Sequence, residues 1–245
     1  MKWILLLVAG LFIAGVARAA DTDIRQQRVS FARGATSAVL TGRLKGDATV
    51  DYLVHAGAGQ TLTVALKRSN VPNYFNINPP GAEVSMFVGS SDATGDSSVC
   101  LLPDDGDYTV RVYLMRPAAR RNESSNYTLT IGVTGSALAP LPASKDALLP
   151  GTSFHASGRI TCLLPGETKP RECDAFVIRR GFEGTATVEI PQAQAGRRRI
   201  LFVRGKAVAS DSPWPLASTR QGDVSTVKLG DDEWYEIPDA LVTGG

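Results

Sequence analysis

Short runs of alternating apolar and polar residues, separated by glycine, proline and asparagine, make up most of the chain after about residue 25. This alternation has the two-residue period of a half-buried β-strand, and no segment of useful length has the 3.6-residue period of a helix. In the first half of the chain, the runs lie at residues 29–31, 38–44, 50–56, 60–67, 74–77, 84–88, 108–114 and 127–133. Seven or eight short strands at this spacing predict an antiparallel β-sandwich.

The second half of the chain has the same style of pattern without repeating the sequence. Its runs lie at residues 155–161, 175–179, 185–190, 200–203, 206–209, 224–229 and 233–237. Between the halves, residues 135–153 are rich in Pro, Ala, Gly and Ser and have no sustained period, which predicts an extended linker. The sequence thus predicts an all-β protein with a sandwich at residues 20–134 and a second small all-β domain at residues 154–245.

The first 19 residues have the pattern of a secretory signal peptide. Met1 and Lys2 give a charged start, residues 3–16 are apolar, and small residues at 17–19 form a cleavage site before Ala20. The remaining sequence contains no second apolar span and no cysteine placed for a lipid anchor. We therefore expect a soluble mature protein in an oxidising compartment, the periplasm, without a membrane anchor.

Charge excludes some partners. The chain has 26 basic and 24 acidic side chains, and removal of Lys2 and Arg18 with the signal peptide leaves 24 of each. Non-specific binding to nucleic acid or to anionic membranes requires a surplus of Lys and Arg. We expect no nucleic-acid partner, and any basic function must come from local clustering.

The chain has three cysteines, so one is left over from any pairing. Cys162 and Cys173 flank a short Pro- and Gly-containing loop, which predicts a disulfide that closes a small hairpin in an oxidising compartment. Cys100 lies among apolar neighbours and is expected to be a buried thiol, with an intermolecular disulfide as the alternative.

Signals for catalysis are absent from the sequence. His55 and His155 each fall in a predicted strand and are interpreted as surface or edge residues. No nucleophile elbow, phosphate-binding loop or zinc motif is present. The Asp-Asp-Gly-Asp stretch at 104–107 is too short for a known calcium loop and is interpreted as a turn. The sequence therefore predicts no enzyme, no catalytic residue, no metal and no cofactor.

Residues 104–130 contain a cluster of arginines between two predicted strands. Alternating runs at 108–114 and 127–133 flank about a dozen residues that include Arg116, Arg120 and Arg121. This predicts a long-looped β-hairpin that holds guanidinium groups, and long loops on rigid sheets often carry binding function. From the residues alone, arginines that are only solvated are the favoured interpretation, and a binding role is the alternative. A second basic run at 197–199 follows a glycine and is interpreted as a solvated hairpin tip.

The residues around this cluster resemble those of a known family. The matching positions are Arg111-Val112, Arg116, Ala119-Arg120, Asn122 and Tyr127, with an upstream group at Phe31-Ala32-Arg33-Gly34, Ser37-Ala38, Gly42, Lys45-Gly46 and Tyr52. In their order and spacing these residues resemble the periplasmic inhibitors of g-type lysozyme, over about residues 28–133. The family loop usually reads Arg-Asn where this chain has Arg116-Pro117.

The resemblance implies a function and a partner. It implies a periplasmic inhibitor whose partner is g-type lysozyme, and whose arginine loop enters the lysozyme active-site cleft. The lysozyme-binding residues would be Arg116, Arg120 and Arg121, with Tyr113 and Asn122 beside them. The alternative is a cell-envelope glycan- or protein-binding sandwich without inhibitory activity. The order of motifs along the sequence also resembles that of β-sandwich modules found after bacterial secreted peptidases, which generally bind or stabilise. No family is identified for the second domain.

Overall fold

The computed structural model describes residues 24–82, 84–93, 95–192 and 196–244. The predicted signal peptide and its cleavage site lie outside these residues. The described chain folds into 17 β-strands and two short helices, so the predicted all-β class is confirmed. Within these ranges no helix is long and apolar enough to cross a membrane.

Nine strands of the first half form two sheets that face each other. They are β1 (Ile24–Arg28), β2 (Ser37–Lys45), β3 (Thr49–Ala56), β4 (Thr61–Arg68), β5 (Asn73–Asn78), β6 (Phe87–Val88), β7 (Ser97–Leu101), β8 (Gly106–Leu114) and β9 (Ser124–Thr134). One sheet has the order β1-β3-β8-β5-β6, and the other has the order β2-β9-β4-β7. The pairs are antiparallel except β1 with β3, which is parallel. This arrangement is the predicted β-sandwich.

Alternation along the central strands builds the sandwich core. In β8, every second side chain from Tyr108 to Leu114 is buried, and in β9 Leu129 and Ile131 are buried in the same way. Each fully buried large apolar side chain contributes roughly 1.5–3 kcal/mol relative to an exposed one. Across the core, the hydroxyl groups of Tyr52 and Tyr127 lie 2.8 Å apart, so each phenol has a hydrogen-bond partner.

The prediction that the two strands flanking the arginines pair with each other as a hairpin is wrong. β8 lies between β3 and β5 in one sheet, whereas β9 lies between β2 and β4 in the other. The connection between them therefore crosses from one sheet to the other instead of turning within a sheet. The physical reason is that alternation shows which face of a strand is buried but not which strand it pairs with.

Eight strands of the second half form one antiparallel sheet with the order β14-β13-β12-β11-β10-β17-β16-β15. They are β10 (Ala156–Leu163), β11 (Arg171–Arg179), β12 (Ala186–Gln192), β13 (Gly196–Val203), β14 (Lys206–Ser210), β15 (Leu216–Gln221), β16 (Val224–Leu229) and β17 (Trp234–Pro238). The two edge strands β14 and β15 approach each other, so the sheet curls into a nearly closed barrel around an apolar interior. A short helix, Asp239–Thr243, packs against it.

The predicted disulfide is confirmed. Cys162 and Cys173 are bonded, with their Cα atoms 6.0 Å apart, and the bond ties β10 to β11 near their shared turn. Both residues belong to the apolar interior of the barrel.

Loss of this bond should lower stability. Replacing Cys162 and Cys173 together by alanine is expected to reduce the free energy of unfolding by about 2–4 kcal/mol, because the open chain gains conformations when unfolded. Urea unfolding of the variant beside oxidised and reduced wild type measures the change. A variant as stable as the oxidised protein would contradict the expectation.

Cys100 is a free, half-buried thiol in β7 that packs against the sandwich core. Burial raises its thiol pKa, and the nearby Ser98 hydroxyl lowers it by a smaller amount. Because the thiolate is the reactive form, we expect Cys100 to react much more slowly with a disulfide reagent in the folded protein at pH 7 than in denaturant. Equal reaction rates in the two conditions would contradict this expectation.

The two halves contact each other directly. The sandwich end that carries Ala58 packs on the outer face of the barrel strands, beside Leu201 and Ala209. Residues 135–153 run along this contact, since Leu138 N donates to Ala58 O and Leu141 N donates to Arg179 O, each at 2.8 Å. The linker of the sequence prediction therefore touches both halves, and the domain boundaries stay a prediction.

Candidate functional site

A nine-residue connection from β8 to β9, residues 115–123, carries the arginines singled out in the sequence. It enters a short helix, α1 (Arg116–Arg120), and then leads to β9. Met115 N donates to Pro72 O at 2.9 Å, which fixes the start of the connection to the neighbouring turn. Ala118 and Ala119 are buried, so one side of the helix is seated on the sandwich.

Pro117 fits this geometry. It lies in the first turn of α1, after Met115 at the N-cap position. Proline is tolerated in the first helical turn, since an N–H there has no partner within the helix. The departure from the family's Arg-Asn pair thus coincides with the start of a helix.

Three arginine side chains lie at the surface of this connection, on Arg116, Arg120 and Arg121. Arg121 donates to Glu123 Oε1 at 2.7 Å. Among the described residues, neither Arg116 nor Arg120 has an ion pair or a side-chain hydrogen bond. These two guanidinium groups are therefore available to an external acceptor.

The rest of the connection is held in place by Glu123 and Asn122. Glu123 Oε2 accepts from Asn70 Nδ2 at 2.8 Å, and the hydrogen bonds from Asn70 and Arg121 lower the pKa of the Glu123 carboxyl. Asn122 has a φ of 54°, and a Cβ added at Gly46 would lie 3.0 Å from its Oδ1. Gly46 itself has a φ of 57°, a conformation that favours glycine, so a side chain there would be strained as well as crowded. The arginines thus sit on a fixed support.

Tyr113 lies apart from the arginines. It precedes the connection on β8 and points to the outer face of the five-stranded sheet, where its hydroxyl donates to Asn76 Oδ1 at 3.1 Å. The structure brings Arg116, Arg120 and Asn122 together in one connection, whereas Tyr113 is half-buried on the adjoining sheet face.

Sequence reasoning missed basic residues that the fold brings to this end of the sandwich. Arg43 on β2 is exposed and donates to Ser124 Oγ at 3.4 Å, where β9 begins. Arg68, at the end of β4, stacks over the ring of Tyr74 at 4.5 Å and pairs with Asp96. Only strand pairing places Arg43 beside Ser124, so no local motif could have identified it.

The second basic run is not a solvated tip, which corrects the sequence interpretation. Arg198 and Arg199 are 5% and 4% exposed, and both contact the buried Asp211. Arg197 is about half exposed and pairs with Glu189. The run was misread because its arginines alternate along β13, with Arg198 inside the barrel and Arg199 on its outer face against the sandwich.

The structure also corrects the interpretations of His155 and of the acidic stretch at residues 104–107. His155 is buried and not at the surface: its Nε2 lies 2.9 Å from Leu141 O, and its Nδ1 accepts from Arg179 N. In the acidic stretch at 104–107, Asp104 and Asp105 both form ion pairs with Arg180, so this stretch does more than form a turn. No group of three or more His, Cys, Asp or Glu in the described part of the chain is arranged to hold a metal ion.

Taken together, the fold and this connection define a β-sandwich that presents Arg116 and Arg120, which have no partner among the described residues, on a fixed surface support. No protein-family model matches the chain. The chain is 29% identical, over 109 residues, to the inhibitor of g-type lysozyme of Escherichia coli strain K12, a match that covers 43% of this chain and 78% of that protein.

Solved structures of such inhibitors are also similar. The crystal structure of Aeromonas hydrophila PliG, a periplasmic lysozyme inhibitor of g-type lysozyme, is 35% identical, with 46% of this chain and 98% of that chain covered and a TM-score of 0.41. A mutant of the Escherichia coli PliG is 28% identical, with 45% and 98% covered and a TM-score of 0.36. The resemblance of residues 28–133 to the periplasmic inhibitors of g-type lysozyme is confirmed, and it leaves more than half of the chain unmatched.

Proposed function

We propose that the mature protein is a periplasmic inhibitor of g-type lysozyme that acts through the connection between β8 and β9. The relatives named above are inhibitors of this enzyme, and two of them are described as periplasmic. The observation that carries the proposal is the pair Arg116 and Arg120, exposed and unpartnered among the described residues on a fixed support. The signal-peptide pattern and the Cys162–Cys173 disulfide support a periplasmic location.

The chemistry of the target suits these arginines. A g-type lysozyme cleaves peptidoglycan with a catalytic carboxylic acid in an open sugar-binding cleft. A guanidinium group forms planar, two-point hydrogen bonds to a carboxylate. An arginine placed in the cleft would hold the acid ionised, and the connection would occupy sugar subsites. Inhibition is therefore proposed to be competitive with the glycan.

The second half of the chain does not cover the connection. β8 begins at Gly106, next to the Asp104 and Asp105 carboxylates that contact Arg180, and ends at Leu114, next to α1. Nine residues of β-strand span about 27 Å, so the arginines lie at the opposite end of the sandwich from the barrel. This end is thus accessible to a large protein partner.

A double-mutant cycle tests the proposed pairing. Binding of Arg116→Ala and Arg120→Ala would be measured against wild-type g-type lysozyme and against a lysozyme whose catalytic acid is replaced by its amide. If an arginine pairs with the acid, the two losses are not additive. Fully additive losses for both arginines would place the acid outside the contact and contradict the proposed pairing.

The sandwich alone should retain the activity. The match to the Escherichia coli inhibitor covers 78% of that protein but only 43% of this chain, so a single sandwich accounts for most of the relative. We expect a fragment of residues 20–135 to fold and to inhibit g-type lysozyme within about threefold of the mature protein, a difference of less than about 1 kcal/mol, because the arginine connection lies within this fragment. A folded fragment without inhibition would contradict the assignment to the sandwich.

Limited proteolysis of the whole chain is expected to cut first within 135–153.

A further inference from the structure

The open end of the barrel contains a cavity of about 690 Å³. The connections that follow β10, β14 and β16 lie at this end, and Gln192, Arg198 and Glu233 form part of the lining. Small-molecule sites occupy roughly 300–1,000 Å³ and often lie in the mouths of β-barrels or where domains meet. Val84 of the sandwich also lines the cavity, so both conditions are met.

The floor of the cavity is polar, although the barrel interior below it is apolar. Glu233, which is 2% exposed, accepts from Arg198 Nε at 2.7 Å and from the Tyr235 hydroxyl at 2.6 Å. Gln192 Nε2 donates to Glu233 Oε1 at 3.0 Å and to the Tyr235 hydroxyl at 2.7 Å. Burial and the adjacent Glu233 carboxylate raise the pKa of Tyr235, so its hydroxyl remains a donor.

This bonding pattern fixes the direction of the Gln192 amide. The end of the amide that lies against the Glu233 carboxylate must be the NH2 group, because a carboxylate can only accept hydrogen bonds. The carbonyl oxygen therefore points the other way. Within the described part of the chain, that oxygen has no hydrogen-bond donor. Gln192, which is 7% exposed as a whole residue, therefore offers an unused acceptor oxygen beside the cavity.

Trp214 lines one side of the cavity. Trp214 is 64% exposed, and the base of its side chain packs so closely on Gly230 that a Cβ added there would lie 3.1 Å from Trp214 Cβ. Its backbone N–H donates to Ser212 Oγ at 3.2 Å. On the other side lies the disulfide-closed hairpin of β10 and β11, with Leu164 and Glu167. An exposed indole ring fixed at its base gives a flat apolar surface.

Charges around the cavity are balanced. Glu233 pairs with Arg198, and Glu167 pairs with Arg171. A charged ligand would have to compete with one of these pairs, and separating the buried Glu233–Arg198 pair would be costly. A purely apolar ligand would leave the Gln192 carbonyl oxygen without a donor. The cavity therefore favours a neutral ligand that has hydroxyl groups and one flat apolar face.

We propose that this cavity binds a neutral saccharide, with one sugar ring stacked on Trp214 and its hydroxyl groups bonded to the polar floor. The Gln192 carbonyl oxygen accepts from a sugar hydroxyl, and the guanidinium group of Arg198 donates to another. The second half of the chain thus acts as a glycan-binding domain, at a site separate from the arginine connection.

Calorimetric titration of the mature full-length protein tests this site with three neutral trisaccharides: cellotriose, maltotriose and N,N′,N″-triacetylchitotriose. At least one is expected to bind with one site per chain. Trp214→Ala is expected to weaken that binding by about tenfold or more, as for a stacked aromatic anchor. Gln192→Leu, which removes the acceptor but keeps the side-chain size, is expected to weaken it as well.

Matched controls separate this site from other effects. Phe182→Ala removes another exposed aromatic of the barrel, at its opposite end, and is expected to leave saccharide affinity unchanged. The double variant at Arg116 and Arg120 is also expected to bind the saccharide as wild type does. The proposal of saccharide binding and the proposal of lysozyme inhibition can therefore be contradicted separately. No heat with any of the three sugars at millimolar concentration, or undiminished binding by folded Trp214→Ala, would overturn the proposal.

Discussion

Arg116→Ala and Arg120→Ala are each expected to weaken inhibition of g-type lysozyme by roughly 30- to 1,000-fold, which corresponds to about 2–4 kcal/mol. Both guanidinium groups are exposed and have no partner among the described residues, so binding requires no internal ion pair to break. The buried Ala118 and Ala119 hold the helix that carries them, so little ordering entropy is lost on binding. The inhibition constant from steady-state kinetics is the measurement.

Two other arginines serve as comparisons for this effect. Arg197→Ala removes an arginine from the barrel, where it pairs with Glu189, and should change inhibition little. Arg121→Ala is expected to have a smaller effect than the other two, because Arg121 is already engaged by Glu123. A folded double variant at Arg116 and Arg120 that inhibits like wild type would show that these arginines are only solvated.

Arg180→Ala is expected to lower the free energy of unfolding by about 3–5 kcal/mol, because breaking a buried ion pair leaves an uncompensated charge. Arg180 is fully buried between the two halves, where it donates to Asp104 Oδ1 at 2.6 Å and to Leu138 O at 2.9 Å. Burial raises the pKa of Asp104, and the Arg180 charge opposes that rise. Differential scanning calorimetry measures the loss.

A surface arginine provides the control for Arg180. Arg159 is 62% exposed and lies 3.6 Å from its two carboxylate partners, so Arg159→Ala should cost less than about 1 kcal/mol. If Arg180→Ala unfolds at the wild-type temperature, the contact between the halves contributes little to stability. Its inhibition of lysozyme, measured where the variant is folded, should be unchanged, because the arginine connection lies at the other end of the sandwich.

The sequence predicted most strands because most strands have one buried face. Residues 108–114 alternate and become β8, whereas 29–31 is not a strand. β1 and β15 were missed because their side chains are almost all exposed, so neither strand alternates. β7 was missed as well, a short edge strand in which Val99 is 75% exposed. Local pattern therefore identifies central strands better than edge strands.

The candidate binding site could be predicted only in part, because local sequence does not show contacts between distant residues. The arginines between β8 and β9 form a local cluster, so sequence and family resemblance could identify them. The partners that distinguish free from engaged arginines come from distant positions, such as Asp211 for Arg198. The barrel cavity likewise combines residues from Leu164 to Glu233, and no motif joins them. Long-range pairing decides which arginines are buried.

The most direct test of the proposed function is a lysis assay with purified g-type lysozyme and a peptidoglycan substrate, to which the mature protein is added in increasing amounts. The account predicts inhibition that saturates at one protein per enzyme and weakens as substrate is raised. Full lysozyme activity in the presence of a large molar excess of folded protein would contradict it, and would favour a glycan- or protein-binding role in the cell envelope.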